Sequence, residues 1–205
     1  MGKKGLLIAA AALAVAGAGA VAYAKFDVPP TPPMAAAEAA KLNAFDFRLV
    51  AIDGAPLPMN KFRGKVVLLV NTASKCGFTP QYEALQKVHS DYAPKGFTVL
   101  GVPSGDFAGQ ELATNKEIAG FCKATFGIRF PMAEKSDVVG PNALPIYRWA
   151  AAKLGPDNTP KWNFHKYLIG RDGRLIAAFG TKTTPDDPAV KAAIEAALKA
   201  PARRA

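Results

Sequence analysis

Hydrophobic positions along the chain switch between two periods, and the switches lay out the elements. Residues 45–52 alternate apolar and polar, the pattern of a half-buried strand, and Asp53-Gly54 after them is a hairpin turn signal. Residues 66–71 form an unbroken apolar run rich in β-branched side chains, which reads as a buried central strand. Over 80–92, Leu85 and Val88 fall on one helical face, and Pro94-Lys95-Gly96 stops the helix. A second buried strand is predicted over 97–102. Thr114 with Glu117 makes a capping box, opening a helix that carries Ile118, Phe121, Cys122 and Phe126 and closes at Gly127. A further helix is expected over 142–154. Strands over 164–169 and 175–179 flank the turn Arg171-Asp172-Gly173, and residues 186–200 read as the last helix.

Alternating strands and helices, followed by a hairpin and a helix, predict an α/β fold of the thioredoxin-like kind. We expect a central mixed β-sheet flanked by helices, with an N-terminal β-hairpin. No internal repeat is visible over 44–199. Ahead of this domain, assigned to 44–200 with a tail over 201–205, residues 1–24 pair Lys3 and Lys4 with an uncharged stretch and end in Ala22-Tyr23-Ala24. That is the layout of a secretory signal peptide. An uncleaved membrane anchor is the alternative, since the stretch is just long enough to span a bilayer. Either reading exports the domain, to a bacterial periplasm or to the outer face of an inner membrane. Residues 25–43 are rich in proline and alanine and read as an extended linker, with a short helix over 34–42.

Composition narrows the chemistry. Half of the 205 residues are hydrophobic, enough for a proper core, and the net charge is +10. No block of like charge suggests a nucleic-acid tail, so a solvated basic surface is the plain reading and attraction to anionic membrane surfaces the sharper one. The two cysteines, Cys76 and Cys122, form no C-x-x-C pair, and His89 and His165 do not join them at zinc-binding spacing. No phosphate-cradling motif occurs, and no metal or cofactor is called for.

Cys76 carries the strongest signal. It sits in the turn between the central strand and the 80–92 helix. Backbone N–H groups and the dipole at a helix N-terminus favour negative charge, and Lys75 adds a positive neighbour. Such a position favours the thiolate, the nucleophilic form of cysteine. On helical spacing, Cys122 shares a face with Ile118 and Phe121, where a free cysteine commonly just packs.

Three stretches carry a family resemblance: Asn71-Thr72-Ala73-Ser74-Lys75-Cys76-Gly77-Phe78-Thr79, Phe107-Ala108-Gly109-Gln110-Glu111 and Trp162-Asn163-Phe164. They resemble the signatures of the glutathione peroxidase family, and the similarity runs over about 45–198. The resemblance implies a peroxidase whose catalytic set is Cys76, Gln110, Trp162 and Asn163. The two amides and the indole N–H would stabilise the thiolate and the leaving oxygen. It also implies a resolving role for Cys122, as in the thioredoxin-dependent, two-cysteine members. A cysteine on the apolar face of a wound helix cannot reach Cys76, so that helix should unwind locally during turnover, helped by Gly120.

Some positions depart from the family. Ser104 stands where a cysteine is usual, and Gly105-Asp106 stands for Asn-Gln. We expect Gly105 to loosen that loop and Asp106 to place a carboxylate near the site. His165, where the family often has threonine, reads as a neutral surface histidine, with a proton donor near Trp162 as the alternative. The segment between Gly140 and Trp162 is short and lacks the interface loop of tetrameric members. That points to a monomer with an open site for bulky hydroperoxides, and to a thioredoxin-like protein rather than glutathione as reductant. Two other functions remain at this point: an exported thiol–disulfide sensor or oxidase, and a non-catalytic domain with a structural Cys76–Cys122 disulfide.

Overall fold

The computed structural model describes residues 34–201; the segment read as signal peptide or anchor, and residues 25–33 of the linker, lie outside them. The first element is helix α1 (Ala36–Lys41), which packs on α4 (Pro145–Leu154) and buries Ala39 completely. Strands β1 (Arg48–Val50) and β2 (Pro56–Pro58) make the expected hairpin around Asp53-Gly54, where Gly54 takes a left-handed φ of 87°. The stretch before β1 is not strand. The Asn43 side chain accepts from Phe45 N–H and the Asp46 carboxylate accepts from Asn43 N–H, which winds Ala44–Asp46 into a 3-10 turn. Satisfied caps outweigh the alternating pattern there.

The main sheet has the order β4-β3-β5-β6. Its centre, β3 (Val66–Thr72), is buried at every position and pairs in parallel with β4 (Phe97–Pro103) and antiparallel with β5 (Lys166–Ile169). The edge strand β6 (Leu175–Phe179) completes the hairpin with β5. The sheet is therefore mixed, as the sequence predicts. Because side chains alternate across a strand, β3 feeds two cores. Val67 and Leu69 face a cluster with Tyr147, Trp149 and Tyr167, and Val66, Leu68 and Val70 face one with Tyr82, Leu85, Phe164 and Ile194. Helices α2 (Gln81–Tyr92), α3 (Asn115–Phe126) and α5 (Pro188–Lys199) supply the second cluster, and α4 supplies the first.

Helix boundaries follow local chemistry. Thr114 and Glu117 cap each other reciprocally at the start of α3, and Gly127 ends it at φ 58°. Helix α4 begins three residues later than its pattern suggests, because Leu144 precedes Pro145 and is held extended (φ −46°, ψ 138°). Among the described residues, no helix is long and apolar enough to cross a membrane.

Candidate active site

The turn after β3 is built around Cys76. Thr79 Oγ1 donates to Ala73 O at 2.9 Å and accepts from Cys76 N–H at 3.0 Å, while Thr79 N–H returns to Cys76 O at 3.0 Å. These bonds fold residues 73–79 tightly against the start of α2. They also place Cys76 Sγ where it accepts from Phe78 N–H at 3.4 Å. The side chain is buried but for 7 % of its surface, and Gly77 beside it faces open space.

Gln110 and Asn163 come together at this turn. Lys75 N–H donates to Gln110 O at 2.9 Å, fixing the Gln110 backbone to the residue next to Cys76. The Asn163 amide donates to Gln110 Oε1 at 3.0 Å. Gln110 reaches this place through a tight turn in which Ala108 and Gly109 both adopt left-handed backbone (φ 55° and 62°). Trp162 is half-buried with its ring 5.8 Å from Phe107, and its carbonyl accepts from the Asn71 side chain at 3.2 Å. Among the described residues, the hydrogen bond to Cys76 Sγ comes from Phe78 N–H rather than from Gln110, Trp162 or Asn163. The side-chain amides bind one another at the edge of the cysteine turn.

Asn71 organises this edge. A polar residue inside the apolar β3 run, it is fully buried; its carbonyl accepts from Phe164 N–H, and its Oδ1 accepts from His165 N–H at 3.0 Å. Phe164 is held at φ 63°, a left-handed conformation that costs a bulky residue about 1 kcal/mol or more. The twist delays β5 to Lys166, two residues later than the sequence pattern suggests.

Three expectations need correction. His165 is buried, not superficial: it is 5 % exposed with its ring 4.7 Å from Tyr167. Burial, aided by the charge of Lys166, lowers its pKa to about 4, so it is neutral. Asp106 is not a free carboxylate: its Oδ2 accepts from Val138 N–H at 2.7 Å and Val139 N–H at 3.0 Å. Nor is the Gly105 loop loose. Asp106 N–H donates to Ser104 Oγ, and the Lys135 stem packs at 3.4 Å from where a Gly105 Cβ would sit.

Cys122 lies on α3 with 1 % exposure, and both cysteines are free thiols. Burial is the main cause that pushes the Cys122 pKa up to about 11, so this thiol stays protonated at neutral pH. Around it stand buried groups that periodicity alone does not reveal. Tyr82 OH stands against the Cys122 thiol and Thr72, a contact that draws the thiol pKa down against burial, and the Glu111 carboxylate, beside Ser74, is within electrostatic reach of the thiol. Glu111 Oε1 accepts from Ser74 N–H and Leu112 N–H, bracing the cysteine turn from below, and burial raises its carboxyl pKa. On its other side Cys122 lines a groove of about 330 Å³ between the β1–β2 hairpin and α3, with Ile52, Leu57, Phe130 and Met132.

Comparisons with known proteins bear on the family and the fold. Residues 44–151 match the family model for glutathione peroxidase. The chain is 44 % identical over 148 residues to a glutathione peroxidase of Lactococcus lactis, covering 71 % of this chain and 94 % of the relative. It is 42 % identical over 151 residues to a hydroperoxy fatty acid reductase of Synechocystis, covering 70 % and 89 %. The solved structure of T. cruzi GPX1 superposes with a TM-score of 0.64 at 29 % identity, over 80 % of this chain and all of that one. With its thioredoxin-like fold and its cysteine turn, the chain belongs to the glutathione peroxidase family.

Proposed function

We propose that the protein is an exported thiol peroxidase that reduces hydrogen peroxide and organic hydroperoxides through Cys76 and Cys122. The Cys76 thiolate attacks the O–O bond; its sulfur is oxidised to a sulfenic acid, and water or an alcohol leaves with the second oxygen and a proton. Cys122 then attacks that sulfur. A disulfide forms, the sulfenic oxygen departs as water, and a dithiol reductant returns both thiols to the start. Gln110, Asn163 and the Trp162 indole act on the peroxide and its leaving oxygen.

The observation that carries this reading is the Cys76 turn, where sulfur accepts a backbone N–H and Lys75 N–H holds the Gln110–Asn163 pair alongside. Membership of the family supports a peroxide substrate, and similarity to a hydroperoxy fatty acid reductase supports a hydroperoxide of some bulk. The second cysteine on α3 supports a thioredoxin-like reductant over glutathione. The chain acts as a monomer, and its basic charge draws it to anionic membrane surfaces.

Steady-state peroxide reduction, with thioredoxin or glutathione as donor, tests the scheme. Cys76→Ser is expected to be inactive with both. Cys122→Ser should lose thioredoxin turnover and keep one stoichiometric reaction with peroxide. Full thioredoxin turnover by Cys122→Ser rules out the two-cysteine mechanism.

A further inference from the structure

Lys166 opens β5 with none of its surface exposed, and it lies on the sheet face shared by Leu168, α2 and α5. Burying an ammonium costs several kcal/mol unless its hydrogen bonds are made. Among the described residues no carboxylate pairs with it. Its donors go instead to backbone carbonyls: Nζ donates to Thr183 O at 2.6 Å and to Gly180 O at 3.5 Å. Those carbonyls bracket Thr181. The Thr181 hydroxyl donates to Asn163 O at 2.8 Å, and Thr181 O accepts from Gln81 Nε2 at 2.7 Å. Gln81 is the first residue of α2, the helix that follows the Cys76 turn. Asn163 in turn holds Gln110, which is fixed to Lys75. The bonds close a ring from Lys166 through the 180–183 loop to both halves of the site.

We propose that Lys166 is a positioning residue: by clamping the 180–183 loop it sets, through Thr181, where Asn163 and the Cys76 helix stand relative to each other. The proposal rests on the peroxidase reading above. Lys166 touches neither peroxide nor sulfur. Burial lowers its pKa to about 7, and both the ammonium and the neutral amine carry N–H donors for these carbonyls. A purely apolar side chain would fill the same volume and leave Thr183 O without its donor, whereas Gly180 O would keep the Thr183 N–H at 3.2 Å.

The test pairs Lys166→Met, which keeps the stem and removes the donors, with Thr181→Val and Thr181→Ser. The first readout is the single-turnover rate of Cys76 oxidation by hydrogen peroxide at a temperature where each variant is folded. Displacements of a fraction of an ångström should slow Lys166→Met and Thr181→Val each by about ten-fold, as misplaced reacting groups do. Thr181→Ser, which keeps the hydroxyl, should recover the rate. The double variant should be no slower than the slower single, because both act on one linkage. A wild-type rate in Lys166→Met, or multiplicative losses in the double variant, overturns the proposal. Should Lys166→Met not fold, a wild-type rate in Thr181→Val overturns it equally. The second readout needs no activity: the side-chain amide NMR signals of Asn163 and Gln110 should both shift in Thr181→Val. If wild type fails to react with peroxide, the peroxidase reading fails; unshifted amide signals overturn the clamp itself.

Discussion

The two-cysteine scheme proposed above has helix α3 release the buried Cys122 before the sulfurs meet, and Gly120 offers a way to measure that release. It lies exposed in the helix interior, with nothing within 4 Å of where a Cβ would stand. Gly120→Ala therefore adds no clash and removes the entropic cost of glycine, worth about 0.8–1 kcal/mol in a helix. The helix is thinly anchored: it fully buries only Ile118 and Cys122, whereas α2 buries five side chains. Its flank borders the groove beside Cys122 rather than a packed neighbour. If unwinding precedes disulfide closure, a helix steadier by about 1 kcal/mol should close the disulfide about five-fold more slowly, since 1.4 kcal/mol is ten-fold. The first step should be unchanged, because Cys76 is not touched. Rapid mixing with peroxide, quenching with an alkylating reagent and mass analysis separate sulfenate from disulfide. Hydrogen exchange over residues 118–124 reports the winding equilibrium. Raised protection with an unaltered rate of disulfide closure would refute the idea that the helix gates the second step.

Other outcomes follow from buried groups. His165 is held neutral, with a folded pKa of about 4 against an ordinary 6.5. Its contribution is present in full above about pH 6.5 and is lost as pH falls toward 4, up to about 3 kcal/mol; urea midpoints at pH 7 and 4.5 should differ less in His165→Phe than in wild type. Tyr82→Phe removes the hydroxyl that stands against the Cys122 thiol; because that contact draws the thiol pKa down against burial, Cys122 should titrate higher in Tyr82→Phe by pH-dependent alkylation and mass analysis, and an unmoved titration would refute the contact. Gly173→Ala should destabilise strongly, by more than about 2 kcal/mol in denaturant titration, since φ is 79° and a Cβ would run into Asn43 and Phe45.

Much of the architecture was readable because the determinants are local. The apolar β3 run, the Thr114–Glu117 box and the Asp53-Gly54 and Asp172-Gly173 turns each encode their own geometry. Cys76 was readable for the same reason: strand, turn and helix follow each other within one short segment. What escaped depends on contacts between distant segments. Nothing near His165 says that Asn71, 94 residues away, will seal it inside. Asp106 looked like a site carboxylate until the 138–139 backbone arrived to occupy it. Lys166 did leave a trace, a charge at the head of the apolar run Tyr167-Leu168-Ile169, as Asn71 did in β3. A polar residue inside a buried strand asks for a partner, and its identity is settled only by the fold.

The left-handed turn at Phe164 carries a lesson for redesign. Its ring is fully enclosed and meets Tyr82 edge-on at 5.5 Å, so the side chain is anchored while the backbone is bent against preference. Relaxing that residue into regular extended geometry would lengthen the hairpin and please any stability-seeking algorithm. It would also swing the preceding asparagine off its glutamine. Thermostabilised versions of this scaffold should therefore leave the awkward residue alone, because comfort there and competence at the sulfur are mutually exclusive.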